Sequence, residues 1–324
     1  MGKVVGNRIS QILDVSDRKT RYDASARNLV AQKAILAYIL KSAVDEFSSV
    51  SVKQIAEELI EGSPQINEIP VHQDSPGGRL NGSDRVEEMA TEDVSIQEGT
   101  VRYDIRFLVR VPGEDERIET IVNIEVQMKD TPGYPIPKRG IYYGSRLISA
   151  QRGTVFKNQE YGKIKKVVSI WLCQSTSPER SDAINEYCFL EKCRRGTYQE
   201  QKKNYDLMRV IVMRLGDYGE NSEDDAIRLL SKVFSGERSA KEKKAVLSEE
   251  FQIDVTEEID QEVSLMCNLS TGLIEKGIEK GRVEGVLELL FSLVKDGVLT
   301  LSNAAQRAGM EPSEFEQKYK AFYQ

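Results

Sequence analysis

The sequence predicts an α/β protein, with a mixed central sheet between helices and an α-helical C-terminal extension. Three observations carry this. Stretches with the helical period and stretches with strand alternation follow in the order helix, strand, strand, helix, strand, which places a sheet between helical layers. Val167–Cys173 is almost continuously apolar, as a strand buried on both faces requires. After Gly219 the strand signal stops and helical segments take over.

Each element has its own reason. Residues 1–22 are polar and read as a loosely packed N-terminal arm. Residues 27–47 predict one long helix, because Leu29, Leu36, Leu40 and Val44 repeat near 3.6. A shorter helix is predicted over 51–60, with Ser51 as N-cap. Between 62 and 92, Pro76-Gly77-Gly78 and Asn81-Gly82 interrupt any period, leaving either a covering loop or irregular β structure. Strands at 100–111 and 118–128 are joined as a hairpin across Pro112-Gly113-Glu114-Asp115-Glu116. The next helix, over 137–151, begins at Pro137, where a missing N–H leaves no helical bond unmade. Strands follow at 167–173, 183–190 and 206–215, then helices at 224–234, 239–250 and 256–267.

Gly277, Gly281 and Gly285 recur every four residues and share one helix face. Each weakens a helix by ~1 kcal/mol, so the row reads either as a self-association face or as a flexible connector. Residues 286–322 allow a helix-turn-helix around Gly309-Met310-Glu311. The helix that would read bases leads with Glu311, Glu314 and Glu316, which repel phosphates. A degenerate module and a small helical cap are the two readings. The expected organisation is therefore an arm at 1–22, a core domain at 23–219 and a helical region at 220–324.

With 324 residues, 40% hydrophobic and 30% charged, the chain has the composition of an ordinary soluble protein. No apolar run approaches the ~20 residues of a membrane helix. The N-terminus lacks the apolar core of a secretion signal. Cys173, Cys188, Cys193 and Cys267 form no CxxC pair, so reduced thiols in a cytoplasmic protein are the simplest reading. A single His excludes the common zinc sites. The net charge of -7 argues against a protein that coats nucleic acid. Locally the balance reverses: from Lys138 to Lys166 eight Lys/Arg face one acid, Glu160. That stretch is either a basic surface for phosphates or a solvated face.

The candidate chemistry lies just upstream. In Ile121-Val122-Asn123-Ile124-Glu125-Val126-Gln127, Glu125 and Gln127 point to one face of a strand otherwise fit for burial. A carboxylate there is costly unless something pairs with it. Asp104 sits near the start of the neighbouring strand. Two strands aiming carboxylates at one spot make a site for a divalent cation, since Mg²⁺ takes one or two carboxylates plus waters and phosphate oxygens. The bland alternative is salt bridging, with Asp104 against Arg102 or Arg106.

Asp104 followed about twenty residues later by Glu125-Val126-Gln127 resembles the PD-(D/E)XK nuclease signature, with Gln in place of Lys. Glu98-Gly99-Thr100-Val101-Arg102-Tyr103-Asp104, Pro132-Gly133-Tyr134-Pro135-Ile136-Pro137-Lys138-Arg139 and Tyr142-Tyr143-Gly144-Ser145-Arg146 extend the match. Together they resemble the PD-(D/E)XK nuclease family transposases, or recombination-promoting nucleases, from about Asp23 to the helix near Gly285. The resemblance implies a restriction-endonuclease-like core and a metal-dependent DNA endonuclease serving recombination or transposition. The competing expectation is a catalytically impaired DNA-binding or oligomeric protein on the same fold.

On this resemblance Asp104 and Glu125 hold Mg²⁺ or Mn²⁺, and Gln127 stands where the family's Lys would stabilise charge on the phosphate. Gln127 can donate a hydrogen bond but brings no charge. Lys129, two residues further along the strand, or Lys138 or Arg139 on the next helix, could supply it. Glu98, Asp45 and Glu46 are candidates for a further acid. Lys138, Arg139, Tyr143, Arg146 and Arg152, with Tyr142, are the expected DNA contacts. DNA is the expected partner, no membrane is, and a homo-oligomer through the C-terminal helices is a further expectation.

Overall fold

The computed structural model describes residues 3–66, 92–95, 99–112 and 119–323, with side chains left undescribed at 3–16, 92–100, 217–218 and 271–284. The chain divides into two units, 1–267 and 268–324.

The first unit opens with α1 (Lys3–Val30) and α2 (Lys33–Ala43). α1 runs straight through the segment expected as a loose arm. The helix expected over 27–47 is instead broken at Gln32, which is extended (φ -64, ψ 126), and again at Val44. Ser51 caps the single turn α3 (Val52–Gln54) by accepting from the Gln54 N–H, and a π-helical turn, Ile55–Leu59, continues it. Two short strands follow, β1 (Gln65–Ile66) and β2 (Glu92–Ser95), and most of the 62–92 segment lies outside the described residues. The strand expected at 100–111 is two strands, β3 (Gly99–Arg102) and β4 (Ile105–Arg110), interrupted at Tyr103-Asp104. β2 and β3 pair with each other, apart from the main sheet.

The rest of the sheet comes in order: β5 (Glu119–Lys129), β6 (Val167–Ser175), β7 (Ala183–Cys188) and β8 (Met208–Arg214), with α4 (Ile136–Ser149) between β5 and β6. The six-stranded sheet runs β1-β4-β5-β6-β8-β7. β5, β6 and β8 are parallel, and β1, β4 and β7 pair antiparallel with their neighbours. The parallel strands are the most buried, as expected for strands covered on both faces.

One face carries Ile121, Val167, Trp171, Cys173, Val210 and Val212, and packs with Ile136, Tyr143 and Leu147 of α4. α4 sits close because glycines face the sheet. A Cβ at Gly140 would lie 2.9 Å from Trp171 Nε1, and one at Gly144 would lie 2.8 Å from Met208 Sδ. The opposite face buries Val122, Ile124, Val168, Ile170, Leu172, Ile211 and Met213. α2 and α5 (Asp225–Phe234), packed on each other, bring the apolar faces of the second layer. The boundary expected after Gly219 thus falls inside this unit. α6 (Ala240–Ala245), started by a Ser239–Glu242 capping box, precedes the long α7 (Glu257–Lys295). That helix continues past Cys267 and through the glycine row.

The second unit contains the end of α7, α8 (Leu301–Arg307) and α9 (Pro312–Tyr323). Leu290, Phe291, Ala304, Ala305 and Phe315 form its core, with Phe291 edge-on to Phe315 at 5.0 Å. Gly309 takes φ +64 at the turn. Lys318 and Lys320 of α9 pair with Glu314 and Glu316 one turn back, so that helix offers a balanced face rather than a basic one.

Candidate active site

Glu125 lies in the middle of β5, between β4 and β6, and is 4% exposed. Its neighbours in register are Trp171 on β6 and, through Ile124, Ile105 on β4. The chain break at Tyr103-Asp104 is what brings the second acid in. Released from β3 and not yet in β4, Asp104 turns its Oδ2 to accept the Val126 N–H at 3.0 Å. Its own N–H donates to Glu125 Oε1 at 3.3 Å. Each acid is therefore tied to the other's strand, and the two expected metal ligands are brought together.

The electrostatics follow from that closeness. Burial first, and then the charge of Asp104, push the Glu125 carboxyl well above the usual range; Arg139, the Asp104 N–H and the Asn123 amide pull it down. Asp104 is also raised, by burial, against Arg27, the Val126 N–H and Arg139. Two carboxylates that repel each other in a dry place hold more negative charge than the surrounding chain balances. Such a pair fits a divalent cation, which takes one or two carboxylates and keeps its waters. Asn123, wholly buried on the same strand face, has an Oδ1 without a hydrogen-bond partner, a further oxygen beside Glu125. Among the described residues no group of three or more acids, Cys or His gathers as a ready-made metal cage.

α1 supplies what the sequence reading missed. Arg27 Nη1 stands 3.6 Å from Asp104 Oδ1. One turn earlier, Asp23 is raised by burial and, more weakly, by Asp104, with Lys19 and Arg27 opposing. The helix-borne acid near the pair is therefore Asp23. Glu46 and Asp45, expected in that role, sit elsewhere: Glu46 pairs with Lys166 at 2.6 Å, and both acids approach Arg209. Lys166 is level with Ile121, bonded through its carbonyl, four residues before Glu125 and roughly 13 Å away along the strand. Glu98 lies outside the described residues.

Arg139 is the cation of the site. It lies over Tyr143 at 4.9 Å, Trp171 at 5.2 Å and Tyr134 at 5.4 Å, and donates to the Tyr143 hydroxyl at 2.6 Å. Three rings fix a guanidinium that would otherwise wave in solvent, and its charge acts on both acids. Gln127 is half-buried on the Glu125 face. β5 does reach Lys129, which is exposed; it opens on another cleft with Asp130, Ser175, Ser177 and Arg180.

The expected DNA contacts divide. Lys138, Tyr142 and Arg152 are exposed, as is Lys157. Tyr143 and Arg146 are not: they are 9% and 5% exposed, because their helix positions turn toward the sheet. Three other cations of the basic stretch already have partners: Lys163 with Glu160, Lys165 with Glu119, and Lys166 with Glu46 and Asp206.

Among the described residues no helix is long and apolar enough to cross a membrane. Comparison with curated proteins and with solved structures gives no match. One family pattern does match, over residues 97–258, which is half of the chain and spans β3 through the start of α7. The mixed six-stranded sheet with flanking helices and the Asp104–Glu125 pair agree with it, and the chain belongs to the PD-(D/E)XK nuclease family transposases.

Proposed function

We propose that this chain is a divalent-metal-dependent DNA endonuclease that cuts phosphodiester bonds during recombination or transposition. The observation that carries the reading is the reciprocal tie between Asp104 and Glu125, which holds two mutually repelling carboxylates at one spot. Mg²⁺ or Mn²⁺ bound there would polarise the scissile phosphate and acidify a water. Asp104 and Glu125 hold the ion, and Asn123 orients Glu125 through its amide. Arg27 steadies Asp104 from α1. Gln127 donates a hydrogen bond to the phosphate, and Arg139 supplies the charge that Gln127 lacks. Lys138 and Arg152 contact the DNA backbone, with Lys129 beyond them. The protein works in the cytoplasm on DNA, and copies associate through the second unit, where Gly285, Val286 and Leu289 are exposed on α7.

The test is nicking of supercoiled plasmid with Mg²⁺ or Mn²⁺, wild type beside Asp104→Ala. Cutting that vanishes in the variant and with chelator is the expected result. A folded wild type that binds DNA without cutting it would replace this reading with a non-catalytic binding protein.

A further inference from the structure

A second concavity lies next to the acid pair, beyond the C-terminal ends of β5, β6 and β8. Its volume is about 450 Å³, and its lining includes Tyr22, Met128, Gln174, Thr176, Ser231 and Phe234. Ligands of open α/β sheets bind at this end of the strands. Three buried polar atoms have no hydrogen-bond partner here: Gln174 Nε2, Thr176 Oγ1 and Ser231 Oγ. Ser231 as a whole is 5% exposed. Buried polar groups are almost always satisfied; three orphans on the walls of one cavity mark a place where something else completes them.

Their chemistry restricts what that is. Tyr22 donates to Gln174 Oε1 at 3.4 Å, which leaves the Gln174 Nε2 as the outstanding donor. The two hydroxyls can donate or accept. An edge carrying both acceptors and donors satisfies this set. The lining contains no Lys, Arg or His, and it includes Glu220, already held by Arg238 at 2.6 Å, and Glu237. A phosphate would find no cation, so the ligand is neutral. Phe234 and Met128 add apolar surface, and an aromatic ring is a stacking platform for any base. α1 ties the cavity to the acid pair, since Tyr22 lines it and Asp23 and Arg27 serve Asp104.

We propose that this cavity is a nucleobase subsite, which takes one neutral base by its hydrogen-bonding edge through Gln174, Thr176 and Ser231. The base comes either from DNA, turned out of the stack, or from a free nucleoside; only the first source rests on the endonuclease reading.

The test uses the full chain in chelator, so that no cutting is needed. The four deoxynucleosides are titrated while thermal melting is followed. The expected result is a raised melting temperature with at least one of them, and about tenfold weaker binding by Gln174→Leu, which keeps the shape and loses the donor. Ser231→Ala provides a second variant should the first melt below wild type. Duplexes carrying 2-aminopurine at successive positions form the second arm. A fluorescence rise with wild type but not with the variants identifies DNA as the source. A nucleoside response alone identifies the free nucleoside. No response in either arm, or equal responses from wild type and both variants, would overturn the subsite. Plasmid nicking is scored separately: nucleoside binding by a wild type that cannot nick would sink the endonuclease reading and leave the subsite standing.

Discussion

The two ends of the central sheet treat carboxylates in opposite ways. At the N-terminal ends of β6 and β8, Glu46 and Asp206 meet Lys166 and Arg209, and every acid there has a cation at hand. Asp206 is lowered to about 2: burial opposes ionisation, but bonds from Arg209 and Lys166 outweigh it. Four residues along, Asp104 and Glu125 are raised by burial and by each other. Acids are equally at home in both places; what differs is whether the chain itself closes the charge balance. Where it does, the cluster is structural. Where it does not, the fold has left a charge for something from outside.

Removing charge should therefore have opposite results at the two ends. The largest effect is expected from Glu125→Gln. Nicking should fall by about 10³-fold, the loss of several kcal/mol of metal-assisted stabilisation, while the chelated protein should melt higher than wild type, because a repulsion is gone. A Glu125→Gln protein that melts lower would show the pair to be a stabilising contact. Next comes Arg209→Met. Its side chain is 4% exposed, and stranding its acids should cost about 3 kcal/mol in urea unfolding. Loss of less than half that would erase the contrast.

Acidity sharpens the comparison further. A lowered carboxyl such as Asp206 contributes stability above its unfolded value of 3.8, and that contribution is lost as pH falls toward about 2. A raised one such as Glu125 works the other way: its contribution is full below the unfolded value of 4.5 and is lost as pH rises through the folded value. In chelator, melting temperature should thus fall on the acid side through Asp206 and decline above the ordinary carboxylate range through Glu125, with Mg²⁺ removing only the second decline. A Mg²⁺ effect independent of pH would separate the ion from Glu125. The smallest effect is expected from Arg139→Met. Keeping the aliphatic stem on the rings but losing the charge should slow nicking by about tenfold with little change in melting.

What the sequence made legible was local. Asp104 and Glu125 stand in strand patterns that a period of two exposes, and the parallel strand at Val167 announces itself by continuous apolarity. Asp23 and Arg27 were not legible, because their meaning comes from Asp104, some eighty residues later. The pairing of Glu46 with Lys166 spans a still longer separation, and no helical period encodes it. Tyr143 and Arg146 could have been read better. Ile136, Gly140, Tyr143, Gly144 and Leu147 make one helix face, and two glycines on it signal close approach to the sheet rather than to DNA. The break at Tyr103-Asp104 left no mark, since its residues suit a strand.

The tie between Asp104 and Glu125 has a consequence for quality control. The Val126 N–H reaches Asp104 only when Ile105 lies opposite Ile124. A slip of one residue between β4 and β5 would send Glu125 to the opposite face of the sheet. A misfolded copy would therefore be harmless to the genome around it, because the same register that completes the core also arms the blade.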